Sequence, residues 1–389
     1  MANLNLSTTI LLPACVAAGV MTTMVFSFNN GMFPTIADII DNPNATTLPD
    51  TDIAFSREWT GVAALDRQLT ALLVFFWKLV DGKYPSATLQ SVHFFGQIGS
   101  FWTLLQLEAR REGNKRRLIA YTTLFGLLYQ NISVAITIPI WCLLHLLTLP
   151  NTNSATLTSR LSVSASDARL LPWAMAIGYI APSIAMALPS PGVVPASTQQ
   201  LLVSLWQPFP LWVYLVGTVL RPFFSTAASA TSPLQSYHST SRTHLFALLL
   251  AAIPHTTALS LSLSSLLFPQ LFDASTAASF HPARAFLPKV SLKGMEPLPL
   301  AEGILRFMQW DEAVSTAAAV VWAATVYLRD TKTKGGQRFG LLGVSARAVG
   351  WTVVGGPSAA AVALVWARDE VVLGAEGGAD GSQQQGKRG

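Results

Sequence analysis

Residues 307–328 read FMQWDEAVSTAAAVVWAATVYL, with Asp311 and Glu312 side by side at the head of a run otherwise apolar enough to cross a bilayer. An ionisable group at membrane depth is costly to keep there and by default marks a site. Only 20 acids occur among 389 residues, most of them in loops or tails, so those beside apolar runs stand out: Asp66, Asp81, Glu108, Asp311 and Glu312. At roughly 100° per helical residue, Asp311 shares a face with Ser315, Trp322 and Thr325, while Glu312 points toward Ala319 and Ala323. A carboxylic acid in a dry pocket stays protonated, ready to act as a general acid.

A second stripe lies on the segment after Tyr84-Pro85, where Gln90, Gln97, Phe101 and Glu108 fall within one arc and His93 and Phe94 flank it. Facing lipid, such a stripe would strand its donors, so it must face a cavity or another helix. In the second case it is polar glue within a bundle. Gln130, Asn131, His145, Gln207 and His255 also fall at depth and read as interhelical partners. Among the aromatics, some can line a pocket where ring faces stabilise a cation without acting as nucleophiles.

Other membrane chemistries lack their residues. The histidines at 93, 145, 238, 244, 255 and 281 form no HxxH box for a di-iron centre. No DxxxD pair in a loop serves magnesium-diphosphate chemistry, and no GxSxG elbow, phosphate loop or dinucleotide fingerprint occurs in its required setting. Cys15 and Cys142 form no metal or disulfide pattern. Proton chemistry remains, with no metal ion or cofactor expected.

The elements that must position these groups follow from composition. The chain is 51% hydrophobic and 12% charged, with mean hydropathy +0.43, against about a quarter charged in soluble domains. That predicts an all-α integral membrane protein, a polytopic bundle of about seven to eight transmembrane helices. Spans are expected at about Thr8–Phe28, Ala87–Leu107, Leu118–Leu149 (interrupted by Pro139), Arg169–Leu188, Gln199–Leu220, Leu245–Phe268, Gln309–Leu328 and Val349–Trp366. Leu65–Val80 is short and reads as an interfacial or re-entrant helix. One membrane domain, 1–370, precedes a tail, 371–389, with the low apolar content of a disordered segment. Pro269–Glu302 reads as a loop that serves as a lid.

The basic runs at 109–117 and 329–347 both look cytosolic, yet five expected spans separate them, so one span is miscounted or one loop breaks the positive-inside rule. The net charge of +5 belongs with these membrane flanks and not with nucleic acid. Asn44, in the sequon Asn44-Ala45-Thr46, is a glycosylation candidate if its loop is lumenal.

Taken in order, LDRQLTALLVFFWKLVDGKYP, the span closing in LEARREGNKRR, WQPFPLWVYL, FMQWDEAVSTAAAVVWA and GPSAAAVALVWARDE resemble the fungal membrane-bound terpene cyclases of the ascochlorin and ascofuranone pathways, from about residue 60 to 370. That resemblance implies a metal-independent, isomerase-type enzyme of meroterpenoid secondary metabolism in the endoplasmic reticulum. It would cyclise a farnesyl chain carried on a polyketide-derived aromatic or cyclohexenone. It also implies partners: the lipophilic prenylated polyketide or its epoxide, membrane lipids, and an upstream prenyltransferase and epoxidase. An acid would protonate the epoxide or terminal alkene. Asp311 is the expected donor, with Glu312 holding or reloading the proton and Asp66 and Glu108 as rival acids or epoxide-activating partners. Trp322, Phe101, Trp77 and Trp310 are expected to stabilise the cation, with Gln97 and His93 also at the substrate. A proton-coupled transporter of a lipophilic molecule uses the same acids as a relay, but no repeat of half-molecules is visible. A non-catalytic lipid-binding scaffold would leave them as helix ends.

Overall fold

In the computed structural model, which describes residues 2–150, 153–224, 232–289 and 297–374, the chain is all-helical, with one isolated bridge, Thr47 to Ala54, and no strand among the described residues. The principal helices are α1 (Leu4–Asn29), α2 (Met32–Asp41), α3 (Ala63–Val80), α4 (Pro85–Ala109), α5 (Thr122–Asn131), α6 (Val134–Leu147), α7 (Ser154–Leu161), α8 (Ala165–Met175, running on through Ala176–Ile180 and Ala181–Met186), α9 (Ala196–Trp206), α10 (Phe209–Phe224), α11 (Pro233–Leu267), α12 (Leu300–Lys334), α13 (Leu341–Gly355) and α14 (Pro357–Asp369, running on through Glu370–Gly374). Helices α1 and α11 are each long and apolar enough to cross a membrane; α9 and α10 pass that test together but are bent by 73°.

Three expected spans are broken. Leu118–Leu149 breaks at Ser133 and not at Pro139: Ser133 is extended (φ 169°, ψ 146°) and caps α6 by accepting a hydrogen bond from Ala135 N. Trp141 Nε1 then donates to Ile119 O at 3.1 Å and Arg117 Nη2 to His145 O at 2.5 Å, so α5 and α6 fold back on each other as a hairpin. Gln199–Leu220 breaks at Gln207-Pro208. Val349–Trp366 breaks at Gly356, whose φ of 88° suits glycine alone and whose Cβ would meet the Gln97 amide at 2.3 Å. Arg338 and Glu370, which flank α13 and α14, pair at 2.9 Å and close a second hairpin.

The intrahelical prolines show how such a bundle tolerates them. Each removes an N–H and frees the carbonyl four residues earlier. For Pro172 that carbonyl is Ala168 O, which accepts from Thr243 Oγ1 at 2.7 Å. For Pro139 and Pro254 it is Ala135 O and Leu250 O, and each is approached by a glycine of a neighbouring helix, Gly19 and Gly96. A Cβ there would lie 2.3 and 3.0 Å from the oxygen. Close backbone approach stands in for the lost hydrogen bond.

The two basic runs meet at one end of the bundle. Glu112 N and Gly113 N donate to Ser162 O and Arg160 O, Arg329 Nη2 donates to Pro150 O, and Lys334 Nζ donates to Thr158 Oγ1. The opposite end gathers the 42–62 loop and α2–α3, tied by Arg57 to the carbonyls of Ile39, Ile40, Asn42 and Ala45. There the expected lid holds two short helices, Ala274–Phe280 and Pro282–Ala285, fastened through Arg284 to Glu302 and Tyr84; residues 290–296 of it lie outside the described residues. Residues 371–374, assigned above to the tail, are helical, with Val371, Val372 and Leu373 buried, and the remainder of that tail, 375–389, lies outside the described residues.

Candidate active site

The α5–α6 tip, the α9–α10 bend and α12 enclose a cavity of about 280 Å³. Ten aromatic rings line it: Phe33 of α2, Phe75 and Phe76 of α3, Phe94 and Phe95 of α4, Tyr129 of α5, Tyr179 of α8, Trp206 of α9, Phe209 of α10 and Phe307 of α12. Trp206 lies at their centre, its ring 5.1 Å from Phe76 and 5.2 Å from both Phe95 and Phe209. Among the described residues Asp311 is the one acid in the lining, and no histidine, lysine or arginine shares it.

Asp311 Oδ1 accepts from Ser133 Oγ at 2.5 Å and from Ala135 N at 2.8 Å, which places the carboxyl at the N-terminus of α6. The backbone N–H of Val134 also lies toward the carboxyl, and no hydrogen bond of normal geometry reaches Oδ2 among the described residues. Most other polar groups of the lining are committed elsewhere: Tyr179 OH donates to Phe95 O, Trp206 Nε1 to Ser183 Oγ, Gln130 Nε2 to Gln207 O and Asn131 Nδ2 to Leu127 O. The arrangement leaves two polar groups of the lining without a full set of partners, Asp311 Oδ2 and the buried Tyr129 hydroxyl, among aromatic rings.

Glu312 lies outside that cavity. Gln90 Nε2 donates to its Oε2 at 2.8 Å, and its Oε1 is 2.6 Å from His93 Nδ1. His93 Nε2 is 2.8 Å from His255 Nδ1, and His255 Nε2 is 3.1 Å from Val353 O. With His255 neutral, the nitrogen facing that carbonyl carries its hydrogen and Nδ1 accepts from His93 Nε2. The stripe on α4 is therefore glue: Gln90 meets Glu312, and Gln97 donates to Ala251 O and Gly355 O while accepting from Ser358 N.

Glu108 ends the same stripe inside a buried ion cluster. Arg111 Nε reaches its Oε2 at 2.6 Å and Arg368 Nη2 at 2.9 Å; the two guanidiniums also hold Asp369, at 2.7 and 2.9 Å, and His244 Nε2 is 3.0 Å from Asp369 Oδ2. Trp322 Nε1 donates to His145 Nδ1 at 2.9 Å, fixing the tautomer that turns Nε2 toward Glu108 at 3.6 Å. Phe101 packs edge-on to Trp322 at 5.9 Å. Trp322 and Phe101 thus belong to the core beside this cluster and do not line the cavity.

Asp66 accepts from Thr60 N, Thr60 Oγ1 and Gly61 N and holds the turn before α3. Trp77 is buried and Trp310 half-buried, and neither lines the cavity. Asn44 is exposed. Among the described residues no group of three or more His, Cys, Asp or Glu is placed to hold a metal ion. Sequence reasoning passed over Ser133 and the rings of Phe76, Phe95, Trp206 and Phe209. The WQPFP stretch signalled the last two, since its two closely spaced prolines favour a break between two aromatics.

A family model described as the CtvD domain matches residues 7–373. The chain is similar to terpene cyclase ascI of Acremonium egyptiacum, 30% identical over 97% of this chain and 96% of that protein. It is also similar to terpene cyclase ctvD of Aspergillus terreus, 28% identical over 88% and 92%, and to terpene cyclase sdgD of Emericella nidulans, 29% identical over 91% and 92%. No solved structure matches the chain.

Proposed function

The chain belongs to the CtvD-domain family, and from that premise we propose that it is a membrane-bound terpene cyclase in which Asp311 starts the reaction as a general acid. The observation that carries the reading is the single open carboxyl oxygen in an aromatic cavity. The substrate class is a farnesyl chain on a polyketide-derived aromatic or cyclohexenone, as in fungal meroterpenoid metabolism, bearing a terminal epoxide or alkene. A prenyltransferase and an epoxidase acting earlier would supply it.

Asp311 Oδ2–H gives its proton to the epoxide oxygen, the C–O bond to the more substituted carbon breaks, and a hydroxyl and a tertiary cation result. An internal alkene attacks that carbon and closes the ring. Ring faces of Phe76, Phe95, Trp206 and Phe209 stabilise the migrating cation. Loss of one proton from carbon, returned to the Asp311 carboxylate directly or through solvent, ends the sequence, so one proton enters, one leaves, and the product is an isomer of the substrate. A proton is the activator this route uses and returns, and none of its steps calls on a metal ion. General-acid catalysis of this kind contributes about 10²–10⁴-fold, and the pre-shaped cavity adds orientation. Glu108 and Asp66, whose oxygens are spent on arginines and on a turn, are poor alternatives. The transporter reading loses its relay, because Asp311 and Glu312 face separate surroundings.

The proposed membrane arrangement has α1, α4, α8, the bent α9–α10 pair, α11 and α12 crossing, with α5–α6 and α13–α14 as hairpins that enter and leave at the basic end. Four crossings then separate the two basic runs, which puts both on the cytosolic side. Asn44 falls on the opposite, lumenal side of the endoplasmic reticulum, where it is glycosylated. Asn44→Gln should remove one glycan's worth of gel mobility and leave turnover unchanged; a wild-type protein indifferent to deglycosylation overturns that placement.

The deciding assay incubates microsomes containing the protein with a panel of farnesylated phenol epoxides and seeks cyclised products of unchanged mass. Conversion by wild type and none by Asp311→Asn supports the reading. A wild type that converts no member of the panel, or an Asp311→Asn variant with full turnover, overturns it.

A further inference from the structure

The hydrogen bonds around Asp311 decide which of its oxygens can carry a proton. Oδ1 accepts two donors, Ser133 Oγ–H at 2.5 Å and Ala135 N–H at 2.8 Å. The Ser133 hydroxyl has one hydrogen, given to Asp311, while its oxygen accepts from Ala135 N at 3.0 Å with Thr23 Oγ1 3.2 Å away. An oxygen that already accepts two hydrogen bonds leaves no lone pair for its own proton. A protonated Asp311 therefore carries the proton on Oδ2, which no hydrogen bond of normal geometry reaches among the described residues and which belongs to the group lining the cavity.

We propose that Ser133 is a positioning residue that, by occupying Oδ1 from the tip of the α5–α6 hairpin, keeps the Asp311 proton on Oδ2 and aims it into the cavity in one direction. The inference rests on Asp311 being the acid. It also explains the place of the break: a hairpin that ended elsewhere would not bring a helix start, with its unpaired N–H groups, to this carboxyl. Without the hydroxyl, Oδ1 keeps one donor, the carboxyl can turn, and either oxygen can hold the proton.

A fixed proton direction has a chemical consequence. The terminal epoxide of a prenyl chain has one stereocentre, so its two enantiomers present the oxygen to the acid from different directions. The wild type should discriminate between them, and that discrimination should depend on Ser133.

The test compares turnover of the two enantiomers of one farnesylated phenol epoxide by wild type, Ser133→Ala, Ser133→Gly and Ser133→Thr in microsomes. The ratio of the two rates does not depend on how much enzyme folds, and glycine is nearly as good a helix start as serine, so the readout survives a loss of protein. Wild type should prefer one enantiomer by about tenfold or more, since small misplacements of reacting groups cost rates of that order. Alanine and glycine should carry that ratio toward unity and lower kcat with little change in KM, while threonine retains the preference. An unchanged ratio in Ser133→Gly overturns the inference, as does a wild type that takes both enantiomers equally. A wild type inert to both, or an active Asp311→Asn, overturns the cyclase reading beneath it, and the two failures are thereby told apart.

Discussion

Helix α6 has a buried carboxyl group at each end, and the two are treated in opposite ways. At its N-terminus Asp311 meets two donors with one oxygen and leaves the other unengaged beside aromatic rings. At its C-terminus, beyond His145, Glu108 is held by two guanidiniums, and the last carbonyls of the helix receive Arg117 as well. Both placements suit the helix dipole, which favours acceptors at the first end and cations at the second. The difference lies in the accounting. Where every charge is matched, a buried polar cluster joins α4, α11 and α14 and leaves no carboxyl oxygen open; where one oxygen is left over, chemistry has a handle.

The largest expected effect comes from the open end. Asp311→Asn keeps size and hydrogen-bonding capacity but has no acidic proton, so turnover should fall by about 10²–10⁴-fold while the amount of folded protein, read by fluorescence size exclusion, holds steady. A fall in folded protein without a specific loss of turnover would erase the distinction between the two ends.

At the closed end the expectation reverses. Arg368→Ala strands Glu108 and Asp369 in the interior and should cost about 3–5 kcal/mol, enough to deplete the folded protein, since whole domains hold only about 5–15. A variant that accumulates normally but has lost only turnover would move the reactive acid to Glu108.

Two milder changes sharpen the contrast. Trp206→Leu removes the central ring of the cavity, and with it about 1–2 kcal/mol of cation stabilisation, so turnover should drop about tenfold and side products of early proton loss should appear. Trp322→Phe leaves His145 Nδ1 unpaired at about 1–3 kcal/mol and should lower the melting temperature while leaving the product spectrum as it was. A changed product spectrum in Trp322→Phe would put that ring back at the substrate.

Much of this was legible in advance at the level of faces and little at the level of partners. The 100° between Asp311 and Glu312 rightly separated their surroundings, and the Asp311–Trp322 face does meet one helix, with Ser133 and His145 as its contacts. The stripe from Gln90 to Glu108 was legible as a stripe, but whether it faced a cavity or other helices depended on which helices arrived there. At Pro139 a neighbouring helix accommodates the freed carbonyl through Gly19, as the reading of that proline allowed, but the break itself falls at Ser133, between α5 and α6, which no sequence signal marked. The basic runs could not both be cytosolic while 118–149 was counted as a crossing; in the proposed arrangement the α5–α6 hairpin returns to the side it entered, which would make the parity even.

By itself the sequence determined a helical protein with runs apolar enough to cross a membrane and an acid pair at the head of one apolar run, because hydropathy and helical periodicity are local properties of the chain. Only the tertiary structure decided which acid keeps an open oxygen and which rings surround it. Those outcomes depend on long-range pairings such as Ser133 with Asp311 and Arg368 with Glu108, and a hydrogen bond is settled by the partner that reaches the group in space, which no local pattern specifies.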